Sequence, residues 1–383
     1  MFYLIYRLFY TAKDEGLLRF LRLFGYESFR AACAALTAFC LVYFAMPWFI
    51  KLMRRKGVHE PSRHYSELDA GRKSAVPTMG GLVMIPAILL SALLWCDPVS
   101  PFVLLALAAS VAAGLLGMAD DLAKLRRRGS DHGLSRPAKI AIQLAIGVAL
   151  AVLLLSDLTS PIAAEQIRGR FYVPFVKLGY YVGWFNVALI ALLIVLSTNS
   201  VNLTDGMDGL ATVPAILVFL VLAVFAFVVG DEHWAWFLRF FPYTGPANLL
   251  AYHHLPGAAE LAVLCCAGAG ACAGFLWYNA FPATVMMGDT GSLALGALLG
   301  AVAVLIRQEA IFLIAGGVFV LEIGSAFIQD YVGLKLLGRR VFYRAPFHSS
   351  WLHRGVSESK VTIRLWLLSA VFAVAALAML KLR

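Results

Sequence analysis

Of the 383 residues, 61% are hydrophobic and only 14% are charged, which excludes an ordinary soluble domain, where about a quarter carry charge. The apolar runs are long and continuous. They exclude the short alternating strands of a membrane barrel and suit helices of about 20 residues that cross a bilayer. The net charge of +10 points to basic cytoplasmic loops beside anionic lipid, and to anionic soluble substrates, and not to nucleic acid.

Residues 1–28 mix Arg7, Lys13, Arg19 and Arg22 with aromatics and lack a small-residue cleavage site. They read as an amphipathic interfacial helix and not as a signal peptide. Ten spans follow, at 29–51, 77–96, 99–119, 138–158, 181–199, 208–230, 258–280, 290–306, 309–335 and 361–381. The loops 51–76, 120–137 and 336–360 are rich in Lys and Arg, and 200–207 and 281–289 fall on the same side. The positive-inside rule makes that side cytoplasmic and puts both termini outside; the basic N-terminal segment runs against this, so the orientation rests on the loops. The outer loop 231–257, with Trp234, Trp236, Phe237, Phe240, Phe241 and Tyr243, reads as an aromatic interfacial segment, and its His253-His254 pair as part of a solvated loop. Cys33, Cys40, Cys96, Cys265, Cys266 and Cys272 lie inside apolar runs, without zinc spacing. No internal repeat is visible. The chain reads as one all-α polytopic membrane domain, residues 1–383, with a cytoplasmic-face active site.

Acidic side chains at the edge of hydrocarbon are expensive and need a partner such as a metal ion, a proton or a substrate. Asp120 and Asp121 close the third span, where the helix C-terminus already carries partial negative charge. Their bland reading is a solvated helix end paired with Lys124. Asn199, Asn202, Asp205 and Asp208 recur every three residues in a short connection. That row of amide and carboxylate oxygens suits a hard cation or a base and sugar. The bland alternative is a polar turn with Asp208 capping the next helix. Asp289 and Thr290 read as N-cap residues of the eighth span, or, with the flanking glycines, as a phosphate site in which Asp289 holds a magnesium ion. His348 is a candidate phosphate ligand or proton carrier. Lys73 suits a diphosphate or nucleobase, or is an ordinary positive-inside lysine. Gln329, polar within the ninth span, faces a site or bonds another helix.

Four segments in order, PTMGG at 77–81, DDLAK at 120–124, NSVNLTDGMDGLA at 199–211 and MGDTGSLALG at 287–296, resemble the phospho-N-acetylmuramoyl-pentapeptide transferases. These belong to the wider polyprenyl-phosphate N-acetylhexosamine-1-phosphate transferases. The resemblance implies Mg²⁺-dependent transfer of a phosphosugar from UDP-MurNAc-pentapeptide to undecaprenyl phosphate, giving lipid I and UMP for peptidoglycan synthesis. It implies a homodimer in the bacterial cytoplasmic membrane. By position, Asp120 and Asp121 match the family's paired aspartates and Asp289 its magnesium-associated one. Lys73, Thr78, Asn199, Asn202, Asp205 and Asp208 match the nucleotide site, and Lys124, Asn279 and Gln329 match other site-lining positions. Two departures stand out. The family's three consecutive histidines are here His348-Ser349-Ser350, and Met286 replaces an aromatic residue. Both bear on the donor more than on the chemistry.

The chemistry so implied is attack by a lipid phosphate oxygen on the sugar-linked phosphorus. Asp120 orients or deprotonates the lipid phosphate, Asp121 assists, and His348 completes the catalytic set. An aspartyl-phosphate route is the alternative mechanism. The alternative functions are transfer from another UDP-N-acetylhexosamine and, from a different class, a transporter or lipid flippase. The one-sided placement of the acids and the lack of repeated halves disfavour the last.

Overall fold

The computed structural model describes residues 1–9, 17–58, 76–127, 133–162, 165–176, 179–244 and 250–381. Its long helices are α1 (Glu27–Arg55), α2 (Gly81–Trp95), α3 (Pro101–Arg127), α4 (Arg136–Leu155), α5 (Asn186–Thr204), α6 (Thr212–Gly230), α7 (Glu260–Asn279) and α8 (Gly288–Leu305). After α8 come α9 (Glu309–Ala315), α10 (Gly317–Phe327), a π-helical stretch (Ile328–Leu336), α11 (Phe347–His353) and α12 (Glu358–Ala378). Among the described residues nine helical segments are long and apolar enough to cross a membrane, and α2 is a shorter apolar helix. A helix stands at the place of each of the ten expected spans, nine of them long enough to cross, and the protein is an all-α, multi-pass membrane protein.

Two spans differ from expectation in how they are built, and others in where they end: α3 runs on to Arg127 and α6 starts at Thr212. The second span begins at Gly81 and not at 77; residues 77–81 are tied by backbone hydrogen bonds to the segment before α8, and Met79 stands at φ +67°. Met286 N donates to Pro77 O at 2.8 Å, Gly80 N to Met286 O at 2.9 Å, and Gly81 N to Met287 O at 3.1 Å. The ninth is broken at Gly316, which both ends α9 and opens α10. Gly317 lies flat against the Phe372 ring, where a Cβ would approach to 2.5 Å.

Helix α8 is the centre of the bundle: every residue from Asp289 to Leu305 is buried. Its glycines and alanines permit this, since small residues let membrane helices approach closely. A Cβ on Gly296 would fall 2.5 Å from Ser197 O, and one on Gly81 2.3 Å from Gly291. Large side chains such as Phe44, Trp48, Leu367 and Val371 are exposed on the outer helices α1 and α12, where lipid covers apolar surface.

Away from the acidic motifs, the starts of α1 and α7 meet. Arg30 donates to both carboxylate oxygens of Glu260, at 2.6 and 2.7 Å, and to Trp95 O at 3.1 Å. Over residues 1–28, two helical pieces, Phe2–Phe9 and Leu17–Gly25, stand where one helix was expected. Tyr3 covers the Arg30 guanidinium at 4.4 Å, and Phe2 packs on Phe24 and Trp95. The expected aromatic loop 231–257 divides. Trp234, Trp236 and Phe237 are exposed on a short helix, whereas Phe240 and Phe241 are fully buried. His253 is half-buried; burial, then the neighbouring His254, hold its imidazole below the ordinary range.

Candidate active site

Helix α3 runs on to Arg127, so Asp120 and Asp121 sit within it and not at its end. One turn earlier lies Gly117, where a Cβ would fall 2.2 Å from the Asp289 carbonyl oxygen. That missing side chain lets the start of α8 rest against α3. The exposed amides there are then satisfied across the interface, as a helix N-terminus requires. Asp121 accepts from Asp289 N at 3.2 Å, Thr290 N at 2.9 Å and Thr290 Oγ1 at 2.7 Å. The expected N-cap role of Asp289 and Thr290 is therefore replaced. The helix begins at Gly288, and Asp121, from another helix, occupies the two amides that were candidates for a phosphate.

Asp120 and Asp289 face two lysines. Lys124 Nζ lies 2.8 Å from Asp120 Oδ2 and 2.9 Å from Asp289 Oδ2. Lys139 Nζ lies 2.6 and 3.3 Å from the same oxygens. Asp120 Oδ1 accepts from Leu134 N at 2.7 Å, and Asp289 Oδ1 from Asn202 Nδ2 at 2.9 Å. Asp120, Asp121 and Asp289 are all buried, and each offers an oxygen within 4.8 Å of the others. Among the described residues, three carboxylates against two ammonium groups leave one negative charge in a buried place, and an all-oxygen set of this size suits a hard divalent cation. Gly288, at φ +74°, closes the cluster from the backbone side. A Cβ there would meet Asp121 Oδ2 at 2.9 Å and Thr78 Oγ1 at 3.1 Å.

The regular row from Asn199 to Asp208 is divided by the fold. Asn199 and Asn202 lie in the last turns of α5, which extends to Thr204. Asn202 reaches Asp289 and Ser292, whereas Asn199 turns to Gln143 Oε1 at 2.6 Å. Asp205 and Asp208 occupy the following turn. Helix α6 starts later, at Thr212, so Asp208 does not cap it. Its Oδ2 accepts from Ala283 N at 3.0 Å, and its own amide donates to Glu358.

Other matched positions serve the frame. Asn279 is fully buried; its oxygen accepts from Gly209 N and Thr212 Oγ1, and its amide donates to Val285 O. Gln329 Oε1 accepts from Val341 N and Phe342 N, anchoring the loop that leads to His348. His348 pairs with Glu322 and lies beside Gly206. Ser350, where the family has its third histidine, exchanges hydrogen bonds with the main chain of Arg344 and closes the same loop. Met286 is buried. Lys73 lies outside the described residues.

Sequence reasoning missed Lys139, Glu322, Gln143, Ser292 and Glu358. Lys139 stands at the head of a span, where a lysine is ordinary under the positive-inside rule and draws no notice. Glu322, an acid inside an apolar run, carried the same signal of expense that singled out the aspartates.

A family model described as Glycosyl transferase family 4 matches residues 103–307. The chain is 39% identical to a phospho-N-acetylmuramoyl-pentapeptide-transferase of Methylacidiphilum infernorum (isolate V4), over 98% of this chain and 100% of that protein. Proteins of the same name from Rhodopseudomonas palustris are 37% identical in strain BisA53, over 95% of this chain and 96% of theirs, and 35% identical in strain BisB18, over 94% and 95%. The chain belongs to glycosyl transferase family 4 and, within it, to the phospho-N-acetylmuramoyl-pentapeptide-transferases; it is an enzyme.

Proposed function

We propose, on the strength of that membership, that this enzyme transfers phospho-MurNAc-pentapeptide from UDP-MurNAc-pentapeptide to undecaprenyl phosphate, yielding lipid I and UMP with Mg²⁺ as cofactor. The observation that carries the reading is the buried Asp120–Asp121–Asp289 cluster bridged by Lys124 and Lys139. Both substrates are anionic, so the barrier is largely charge repulsion, and a dense, preorganised set of opposite charges is what lowers it.

Asp289 would be the main Mg²⁺ ligand, with Asp120 beside it; the ion, when bound, neutralises the diphosphate and the leaving group. Asp121 is committed to the start of α8, so its part is to hold Asp289 in place. Asp120 orients or deprotonates the lipid phosphate. Lys124 and Lys139 are flexible point charges that exchange carboxylate oxygens for phosphate oxygens as substrates enter. An oxygen of the lipid phosphate attacks the sugar-linked phosphorus, and the bond to UMP breaks. Thr78, Asn202, Asp205, Asp208 and His348 line the donor side, with Lys73 added by position; Asn279 and Gln329 shape that side from within. The site faces the cytoplasm, where UDP-linked donors are soluble, while the prenyl chain stays in lipid.

The test is UMP release by purified protein given undecaprenyl phosphate and either UDP-MurNAc-pentapeptide or UDP-GlcNAc, with Mg²⁺ or with EDTA. Release from the pentapeptide donor with Mg²⁺ alone is expected. Preference for UDP-GlcNAc would move the enzyme to another UDP-N-acetylhexosamine, and release in EDTA would remove the metal. Retention of configuration at phosphorus would defeat the single displacement.

A further inference from the structure

Glu322 sits in the middle of α10 and is fully buried. A buried carboxylate is costly unless paired, and this one is given wholly to one residue. Its oxygens accept from His348 N at 3.2 Å and from His348 Nδ1 at 2.9 Å. Among the described residues no other group hydrogen-bonds or ion-pairs with that carboxylate. The backbone bond fixes where the residue starts, and the ring bond fixes how it is turned.

His348 Nε2 has no hydrogen-bond partner among the described residues. It lies against Gly206, where a Cβ would stand 2.9 Å from Nε2 and 3.1 Å from Cε1. Glycine at 206 is thus what leaves space for the imidazole beside the turn that carries Asp205 and Asp208. A carboxylate on Nδ1 selects the tautomer and orientation of an imidazole and so defines what the other nitrogen offers.

We propose that Glu322 is a positioning residue for the transfer, holding the Nδ1 proton of His348 inward so that Nε2 is presented beside Gly206 to the UDP-linked donor. This rests on the donor side being the turn around Asp205 and Asp208, as argued under the proposed function. Glu322 touches no substrate and acts through His348 alone.

The experiment is a double-mutant cycle on UMP release, read as kcat and KM for the donor. Glu322→Ala is expected to lower kcat/KM roughly 10- to 100-fold, the usual cost of removing the partner that orients a functional histidine. In a His348→Ala background the same change is expected to cost less than about twofold, because coupled residues do not add. Equal losses in both backgrounds, or no loss in the single variant, would overturn the proposal. Should Glu322→Ala not fold, Glu322→Gln and ¹⁵N spectra of labelled histidine, assigned by subtraction of His348→Ala, decide without substrate. Wild type should show a protonated Nδ1 at His348, and Glu322→Gln a mixture of tautomers. An unprotonated Nδ1 in wild type, or no change in the variant, would sink it. A wild type that releases no UMP defeats the donor reading itself, whereas an active wild type with an additive cycle defeats only the role of Glu322.

Discussion

Two of the places where this molecule buries charge inside an apolar bundle do it differently. Between α1 and α7, one arginine meets one glutamate through two parallel bonds of 2.6 and 2.7 Å, and Trp95 O and Asp97 N take up further polar atoms. Between the two buried side chains charge is balanced one to one, with the exposed Glu27 farther off at 3.7 Å, and the planar guanidinium is fixed. Between α3 and α8, three carboxylates meet two lysines whose ammonium groups are each shared between Asp120 and Asp289. Among the described residues that cluster is short of positive charge, and its cations sit on flexible stems. Burial of charge therefore does not mark function by itself. An imbalance that a ligand can correct does.

Removing either partner of the closed pair leaves the other buried and alone, the most damaging change to stability in this set. Arg30→Ala should cost about 3–5 kcal/mol, seen as a lower melting temperature in detergent, while kcat of the folded fraction stays near wild type. A large loss of kcat in folded Arg30→Ala would erase the contrast between the two regions. Asp289→Asn should lower turnover roughly 10²–10³-fold with the melting temperature nearly kept; near-normal turnover would take Asp289 out of the metal role. Gly117→Ala, whose Cβ would fall 2.2 Å from Asp289 O, should cost about 1–3 kcal/mol by overpacking and weaken turnover together with stability. The smallest effect tests the charge imbalance itself. Lys139→Met removes a cation that competes for the carboxylates, so Mn²⁺ binding measured by electron paramagnetic resonance should tighten about tenfold, near 1.4 kcal/mol, although turnover falls. Weaker Mn²⁺ binding would mean that Lys139 supports the ion and does not compete with it.

All ten spans were legible in the sequence, because each is a long apolar run and needs no partner to be seen. Asp120, Asp121 and Asp289 were legible by the cost of placing acids beside hydrocarbon. Pairing was harder to read. That Asp121 caps a helix 168 positions away depends on Gly117 and Gly288 letting two backbones meet, and no periodicity encodes that contact. Lys139 was hidden because a lysine at the head of a span has an ordinary explanation. Asn279 and Gln329 stood out by polarity, but polarity does not say whether an amide faces a ligand or ties down its own loop. The late start of the second span escaped because Pro77 to Gly80 carry no charge to set them apart from α2; the hydrogen bonds to Met286 and Met287 and the left-handed Met79 mark them off from the helix.

That pairing runs through carbonyls and amides alone. It holds Gly288 and Asp289 at a set distance from Thr78 whichever side chain hangs from position 286. The side chain at 286 can therefore change what the strap displays without shifting where it is fastened, and the acid three positions on keeps its address.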